Sequence, residues 1–302
     1  MDKVHHIETI SELNEMFHQG KPKHPLVSVV DFSKVGLYGE EELRLTTGFY
    51  SLMFKSQCHN KCKYGRENID FQEGTLICVA PNQVGTIESE PESSQEVQGW
   101  GLFFHPDLIH GTSLASKMKD YSFFSYEISE ALHLSDGEKE HLKDCVAKIE
   151  YELTLNIDQH SQTLIVSNIE LLLNYCTRYY DRQFITRKTN NLSILSKFEK
   201  VLQDYISTKE IERNGLPSVK YCAEQLFLSP NYLSDLLKKE TGKNAQEHIH
   251  YYIIEEAKNI LLASSATINE IAFSLGFDYP QYFSKLFKTK TGFTPAEYRK
   301  MN

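Results

Sequence analysis

The feature that most limits how this 302-residue chain can fold is a repeat in its last third. Ser218-Val-Lys-Tyr-Cys-Ala-Glu-Gln-Leu-Phe-Leu228 aligns with Thr267-Ile-Asn-Glu-Ile-Ala-Phe-Ser-Leu-Gly-Phe277 at an offset of 49. Tyr232-Leu-Ser-Asp-Leu-Leu-Lys-Lys-Glu-Thr-Gly242 aligns with Tyr282-Phe-Ser-Lys-Leu-Phe-Lys-Thr-Lys-Thr-Gly292 at an offset of 50, so one residue is inserted between the halves. Each copy, about 218–242 and 267–292, reads as two short helices around a tight turn. Ser218 or Thr267 caps the first helix. Ala223 or Ala272 allows close approach of the second, Gly276 tolerates positive φ in the turn, and Gly242 or Gly292 ends the unit. The second helix buries Leu233, Leu236 and Leu237 in one copy and Phe283, Leu286 and Phe287 in the other. Its opposite face then carries Asn231, Ser234, Asp235 and Lys238, or Gln281, Ser284, Lys285 and Lys288. Positions i, i+3, i+4 and i+7 share one stripe.

A polar stripe on the second helix of a helix-turn-helix suits one groove of duplex DNA. The joining segment, 246–262, has a continuous apolar stripe of Ile249, Ile253, Ile254, Ala257, Ile260 and Leu261. A rigid rod of this kind would hold two readers at a fixed separation, fitting grooves about 34 Å apart. The competing reading is a helical bundle of duplicated hairpins without nucleic acid. Two copies are fewer than the three that a solenoid usually needs, which favours the readers. Net charge is −9. Residues 195–302 hold 14 Lys and Arg against 13 Asp and Glu, while the remainder holds 18 against 28. Phosphate contacts must therefore come from individually placed lysines instead of a basic field.

The length suggests two domains. With 40% hydrophobic and 24% charged residues, and no apolar run of membrane-spanning length, a soluble protein without a membrane partner is expected. The charged, amphipathic N-terminus lacks a signal core, which points to the cytoplasm. In that reducing compartment Cys58, Cys62, Cys78, Cys145, Cys176 and Cys222 read as thiols. Cys58 and Cys62 alone are close, but no second ligand pair follows. Thr9-Ile-Ser-Glu12 reads as a capping box for a short helix with Ile10, Leu13 and Phe17 on one face and Gly20 as its stop. Short runs at 26–32, 48–54, 75–80 and 99–104 read as strands of an antiparallel barrel or sandwich. Residues 136–155 and 161–184 read as an αα-hairpin whose second stripe is Leu164, Ile165, Ile169, Leu172, Leu173, Cys176 and Tyr180. It can pack on the sheet or on a twin subunit. A polar stretch at 186–192 reads as a linker, after which Ser193 caps the next helix. The expected division is a domain at 1–185, with strands to about 105 and helices at about 136–185, then the linker, then 193–302.

The run from Ala257 to Arg299 resembles the DNA-binding signature of the AraC/XylS transcription regulators. The shared positions include Ala257-Lys258, Leu261-Leu262, Ile271-Ala272, Gly276-Phe277, Tyr282-Phe283, Phe287-Lys288, Gly292, Thr294-Pro295 and Glu297-Tyr298-Arg299. The resemblance implies an α+β chain, a cupin-like N-terminal β-barrel with an αα-hairpin followed by an all-α tandem helix-turn-helix domain. It further implies double-stranded DNA bound in two adjacent major grooves and a homodimer formed through the helices at 136–185. RNA polymerase is the implied protein partner, and a small molecule or other signal the implied effector. No cofactor is implied. Gln281 and Lys285 fall where the family reads bases, which suits adenine and guanine respectively, and Lys288 falls where a phosphate clamp is expected. Asp235 stands where such regulators often carry a base-reading arginine, and Ile253-Ile254 where an arginine is common. The front domain has weaker likenesses at 74–83 and 99–106. A metal-dependent cupin enzyme is the alternative, but the one His-x-His, His248-Ile-His250, lies in the joining helix, where i and i+2 point apart. His59, His105 and His110 are scattered and read as ordinary histidines. Trp100, Leu102 and Phe104 share a strand face and read as core, so no effector residue is singled out.

Overall fold

The computed structural model describes residues 5–35, 42–57, 63–64, 67–68, 74–88, 98–127, 130–186 and 188–300. The chain forms two compact units, Met1–Gln183 and Phe184–Asn302, which places the division just ahead of the expected boundary.

The first unit opens with β1 (His5–Ile7) and α1 (Ile10–Met16). The capping box forms as expected: Thr9 Oγ1 accepts from Glu12 N at 3.2 Å, and Glu12 returns a bond to the Thr9 backbone. Strands β2 (Val27–Asp31), β3 (Glu42–Thr47), β4 (Tyr50–Gln57), β5 (Lys63–Tyr64), β6 (Glu67–Asn68), β7 (Thr75–Val79), β8 (Val84–Glu88) and β9 (Gln98–Phe104) follow. Two short helices, α2 (Pro106–Ile109) and α3 (Ser113–Lys117), lead to β10 (Leu132–His133) and the long helices α4 (Asp136–Glu152) and α5 (Ser161–Thr186).

One sheet has the order β10-β7-β4-β9-β2, antiparallel throughout; another has the order β1-β3-β8, with β1 parallel to β3; β5 and β6 form a ribbon. Among the described residues no ladder joins these sheets, and the two larger ones share a core, as in the sandwich alternative. Alternating hydrophobicity shows that a strand is packed on its faces, but it does not name the strand's neighbours.

Strand β9 shows how both faces are used. Phe103 joins Ile7, Ile10, Leu13, Phe17, Val30, Phe32, Leu45 and Phe49 in one core, burying α1 against the sheets. On the other face Leu102 and Phe104 are fully buried. There Tyr50 stacks on Phe104 at 5.1 Å and meets Phe124, and Phe123 stacks on Tyr180 of α5 at 5.4 Å. Trp100 is partly buried against Phe54, in keeping with a core role for this strand face. The Arg182 guanidinium donates to both oxygens of Glu138, at 3.0 and 2.7 Å, tying α5 to α4. The α5 stripe is buried inside its own unit from Ile165 to Tyr180, but Leu164, counted with it from periodicity, is 45% exposed.

The second unit is helical: α6 (Lys188–Ser207), α7 (Glu210–Asn214), α8 (Val219–Gln225), α9 (Pro230–Thr241), α10 (Ala245–Ala263), α11 (Ile268–Ser274), α12 (Pro280–Thr291) and α13 (Pro295–Lys300). The linker expected at 186–192 is helical at its described residues, since α5 runs to Thr186 and α6 begins at Lys188, so Ser193 caps nothing. The reason is tertiary. Asn191, polar and apparently loop-like, is buried, and its Nδ2 donates to Phe184 O at 2.6 Å and to Glu240 Oε1 at 2.8 Å.

Candidate nucleic-acid interface

The two repeats share their turn and C-terminal bonds and differ at their helix starts, where only the second has a capping box and, of the two second helices, only α9 has a side-chain cap, Ser229 Oγ accepting from Tyr232 N. In the first, Ser218 Oγ accepts from Tyr221 N at 3.0 Å; in the second, Thr267 Oγ1 accepts from Glu270 N at 3.2 Å within a capping box. Both turns close on the small residue, with Leu228 N donating to Ala223 O and Phe277 N to Ala272 O, each at 3.0 Å. Proline occupies the first turn of α9 and of α12, where its missing N–H costs nothing. At the far ends Gly242 (φ +78) and Gly292 (φ +85) donate to the carbonyls of Lys238 and Lys288. Thr241 and Thr291 Oγ1 bond to Leu237 O and Phe287 O, both at 2.8 Å. The inserted residue falls between the turn and the second helix, where Leu228-Ser229-Pro230 becomes Phe277-Asp278-Tyr279-Pro280.

The turn residue itself differs. Gly276 has φ +77, and an added Cβ would lie 2.7 Å from Ile211 O and 2.8 Å from Gly215 C. The second turn is thus seated on α7. Phe227, at the same register, also has positive φ (+56), but its ring is 80% exposed.

Leu233, Leu236, Leu237, Phe283 and Phe287 are fully buried, as the repeat predicts, whereas Leu286 is only partly covered. On the other side of α9, Asn231 and Lys238 are exposed and Ser234 and Asp235 are partly buried. On α12, Gln281, Lys285 and Lys288 are exposed and Ser284 is partly buried. Each stripe lies on the solvent side of its own helix.

The joining helix α10 starts at a capping box of Asn244 and Glu247 and buries Ile249, Ile253, Ile254, Ala257 and Leu261. At 1.5 Å per residue its 19 residues span about 28 Å. It packs on α8 and α9 at one end and on α11, α12 and α13 at the other, where Arg299 Nε donates to Leu261 O at 3.2 Å. Ile253-Ile254, the departure from the family pattern, is part of this buried stripe. The seat of Gly276 ties the second reader to the α7 corner, which lies just ahead of the first reader in the chain, and periodicity alone gave no signal of it.

His248 and His250 have separate partners, Thr241 Oγ1 at 2.7 Å and Gln246 Nε2 at 2.9 Å. Burial lowers the pKa of each, assisted by Lys243 near His248 and by Lys290 near His250. His105 caps α2 by accepting from Asp107 N, and His110 is exposed. Cys58, His59 and Cys62 lie outside the described residues. Among the described residues no three His, Cys, Asp or Glu side chains come together in a group able to hold a metal, and no helix is long and apolar enough to cross a membrane. Cys78, Cys145, Cys176 and Cys222 are buried free thiols.

A family model described as a helix-turn-helix domain matches residues 222–301. The uncharacterized transcriptional regulatory protein YesN of Bacillus subtilis (strain 168) is 33% identical over 111 residues, covering 36% of this chain and 28% of that protein. The uncharacterized HTH-type transcriptional regulator YijO of Escherichia coli (strain K12) is 30% identical over 143 residues, 47% of either chain. Among solved structures, the C-terminal domain of AraT, a response regulator from Geobacillus stearothermophilus, aligns with 30% identity and a TM-score of 0.32, covering 36% of this chain and 85% of that one. The chain therefore spans less than half the length of these curated relatives. Matched motif and paired turns agree: residues 222–301 of this chain are a helix-turn-helix domain of the AraC/XylS type.

Proposed function

We infer that the chain is a sequence-specific DNA-binding transcription regulator, with α9 and α12 entering adjacent major grooves. The observation that carries this reading is the shared turn and C-terminal bonding of two helix-turn-helix units, each with a polar stripe of exposed and partly exposed residues on its second helix. Lys285 is suited to guanine O6 and N7 and Gln281 to adenine, with Asn231, Ser234, Ser284 and Asp235 at the corresponding groove-facing positions. Lys238 and Lys288, in the last turns of their helices, are placed to meet phosphates.

The first unit is proposed to receive a small molecule or other signal and to pair two copies. Its five-stranded antiparallel sheet and helix hairpin support a cupin-like origin. Leu164 and Leu171, seven residues apart on the outer side of α5, are 45% and 40% exposed and provide a strip for a second copy's α5. RNA polymerase is the proposed protein partner and the cytoplasm the proposed compartment. The metal-dependent enzyme reading gains nothing from His105, His248 and His250, each of which has a local hydrogen-bond partner.

The test is binding to a duplex selected from a random pool. Lys285→Ala is expected to lose about 1–3 kcal/mol of discrimination at one base pair. Lys288→Ala is expected to weaken all sequences alike and to reduce the salt slope by about 1. If both variants match the parent on the selected site, the groove assignment is wrong.

A further inference from the structure

The two readers share their turn and C-terminal bonds, yet they are held differently from outside. Tyr232 of α9 and Tyr282 of α12 occupy the same register. Tyr232 is buried, its ring 5.1 Å from that of Phe184, whereas Tyr282 is 62% exposed. Eight residues later the repeat pairs Glu240 with Lys290. Glu240 accepts from Asn191, and Lys290, having no acceptor, cannot form an equivalent bond. Phe184 and Asn191, in the segment by which the chain enters the second unit, therefore grip α9 near both ends, over about 12 Å of helix. Nothing of this form holds α12 among the described residues.

The grip is built for position. Asn191 is almost fully buried, and its one amide group serves two acceptors, Phe184 O and Glu240 Oε1. Withdrawing the segment would break the Asn191–Glu240 bond and uncover the Phe184 and Tyr232 rings, so its placement and that of α9 are linked. Tyr232 and Glu240 lie to the side and rear of the stripe formed by Asn231, Ser234, Asp235 and Lys238, so the segment holds the helix without covering its polar face.

We propose that Phe184 and Asn191 form a positioning arm for the first reader alone, so that this reader is the adjustable half of the DNA grip and the second reader is the constant half. This rests on the DNA-reading proposal above and adds where its control enters. Any event that shifts the arm changes contact with one half-site and leaves the other.

The experiment uses the full chain on a selected duplex with two half-sites, read by hydroxyl-radical footprinting and by hydrogen exchange of the free protein. In Phe184→Ala and Asn191→Ala, exchange across α9 is expected to rise about tenfold while α12 is unchanged. Protection of the first half-site should need about tenfold more protein, with the second half-site as in the parent. Glu240→Ala, at a partly exposed helix position with little risk to folding, should reproduce the pattern. Glu240→Gln, which keeps an acceptor for Asn191, should restore parental protection. Equal loss at both half-sites, or unchanged α9 exchange, overturns the arm while leaving DNA binding intact. A parent protein that protects no half-site overturns the DNA reading itself, and this inference with it.

Discussion

Gly276→Ala is the sharpest test of how the two readers are joined. At φ +77 an alanine side chain crowds the following carbonyl, a cost of about 1–2 kcal/mol. Its Cβ would also sit 2.7 Å from Ile211 O and 2.8 Å from Gly215 C, both backbone atoms of the α7 corner that cannot rotate away. Overpacking of this kind typically costs a further 1–3 kcal/mol. Alanine's smaller unfolded-state entropy returns about 0.4–1 kcal/mol. The expected net loss is about 3 kcal/mol, equivalent to roughly 10–15 °C for a unit of this size. The assay is far-UV circular dichroism during heating and in urea, with Phe227→Ala as the internal control. That residue sits at the same register with φ +56, but its ring is 80% exposed, so the variant is expected within about 1 kcal/mol of the parent. Equal shifts for the two variants, or a loss below about 1 kcal/mol for Gly276→Ala, would refute the seat on α7 as a structural tie.

Asp235→Asn should tighten binding to random duplex several-fold at low salt, since a carboxylate on the groove face repels phosphates; unchanged binding would mean that Asp235 does not face DNA. The depressed pKa values of His248 and His250 mean that the unfolded chain binds protons more readily below the ordinary value of 6.5. Their contribution to stability is therefore complete above pH 6.5 and declines as the pH falls toward each lowered pKa. Urea midpoints should drop between pH 7.5 and 5.5, and by less in the His248→Gln, His250→Gln double variant. Leu164→Asp with Leu171→Asp should leave the fold intact, both positions being substantially exposed, and should convert any dimer to monomer in sedimentation; a persisting dimer would place the contact elsewhere.

Much of the molecule follows from local rules that operate within a few residues. A Ser or Thr followed three positions later by Glu sets a helix start, as at Thr9 and Thr267, because the same two side chains satisfy orphan N–H groups wherever the helix lies. Gly242 and Gly292 end helices because left-handed backbone is cheapest there. Periodicity sorted Leu233, Leu236 and Leu237 from Asn231 and Lys238, and the repeat carried the same division to α12. Decisions of the other kind join residues far apart in the chain, where no local period points. The polar stretch ahead of Leu192 became helix because Asn191 found an acceptor in Glu240, 49 positions away. Strands β1 and β8 both pair with β3, a matter of hydrogen-bond partners and not of alternation. The conformational freedom of Gly276 was legible from its type; its contact with Ile211, and the different surroundings of Tyr232 and Tyr282, were not. Short-range hydrogen bonding and helical period are written in adjacent residues, whereas which buried surfaces meet is settled only when the whole unit packs.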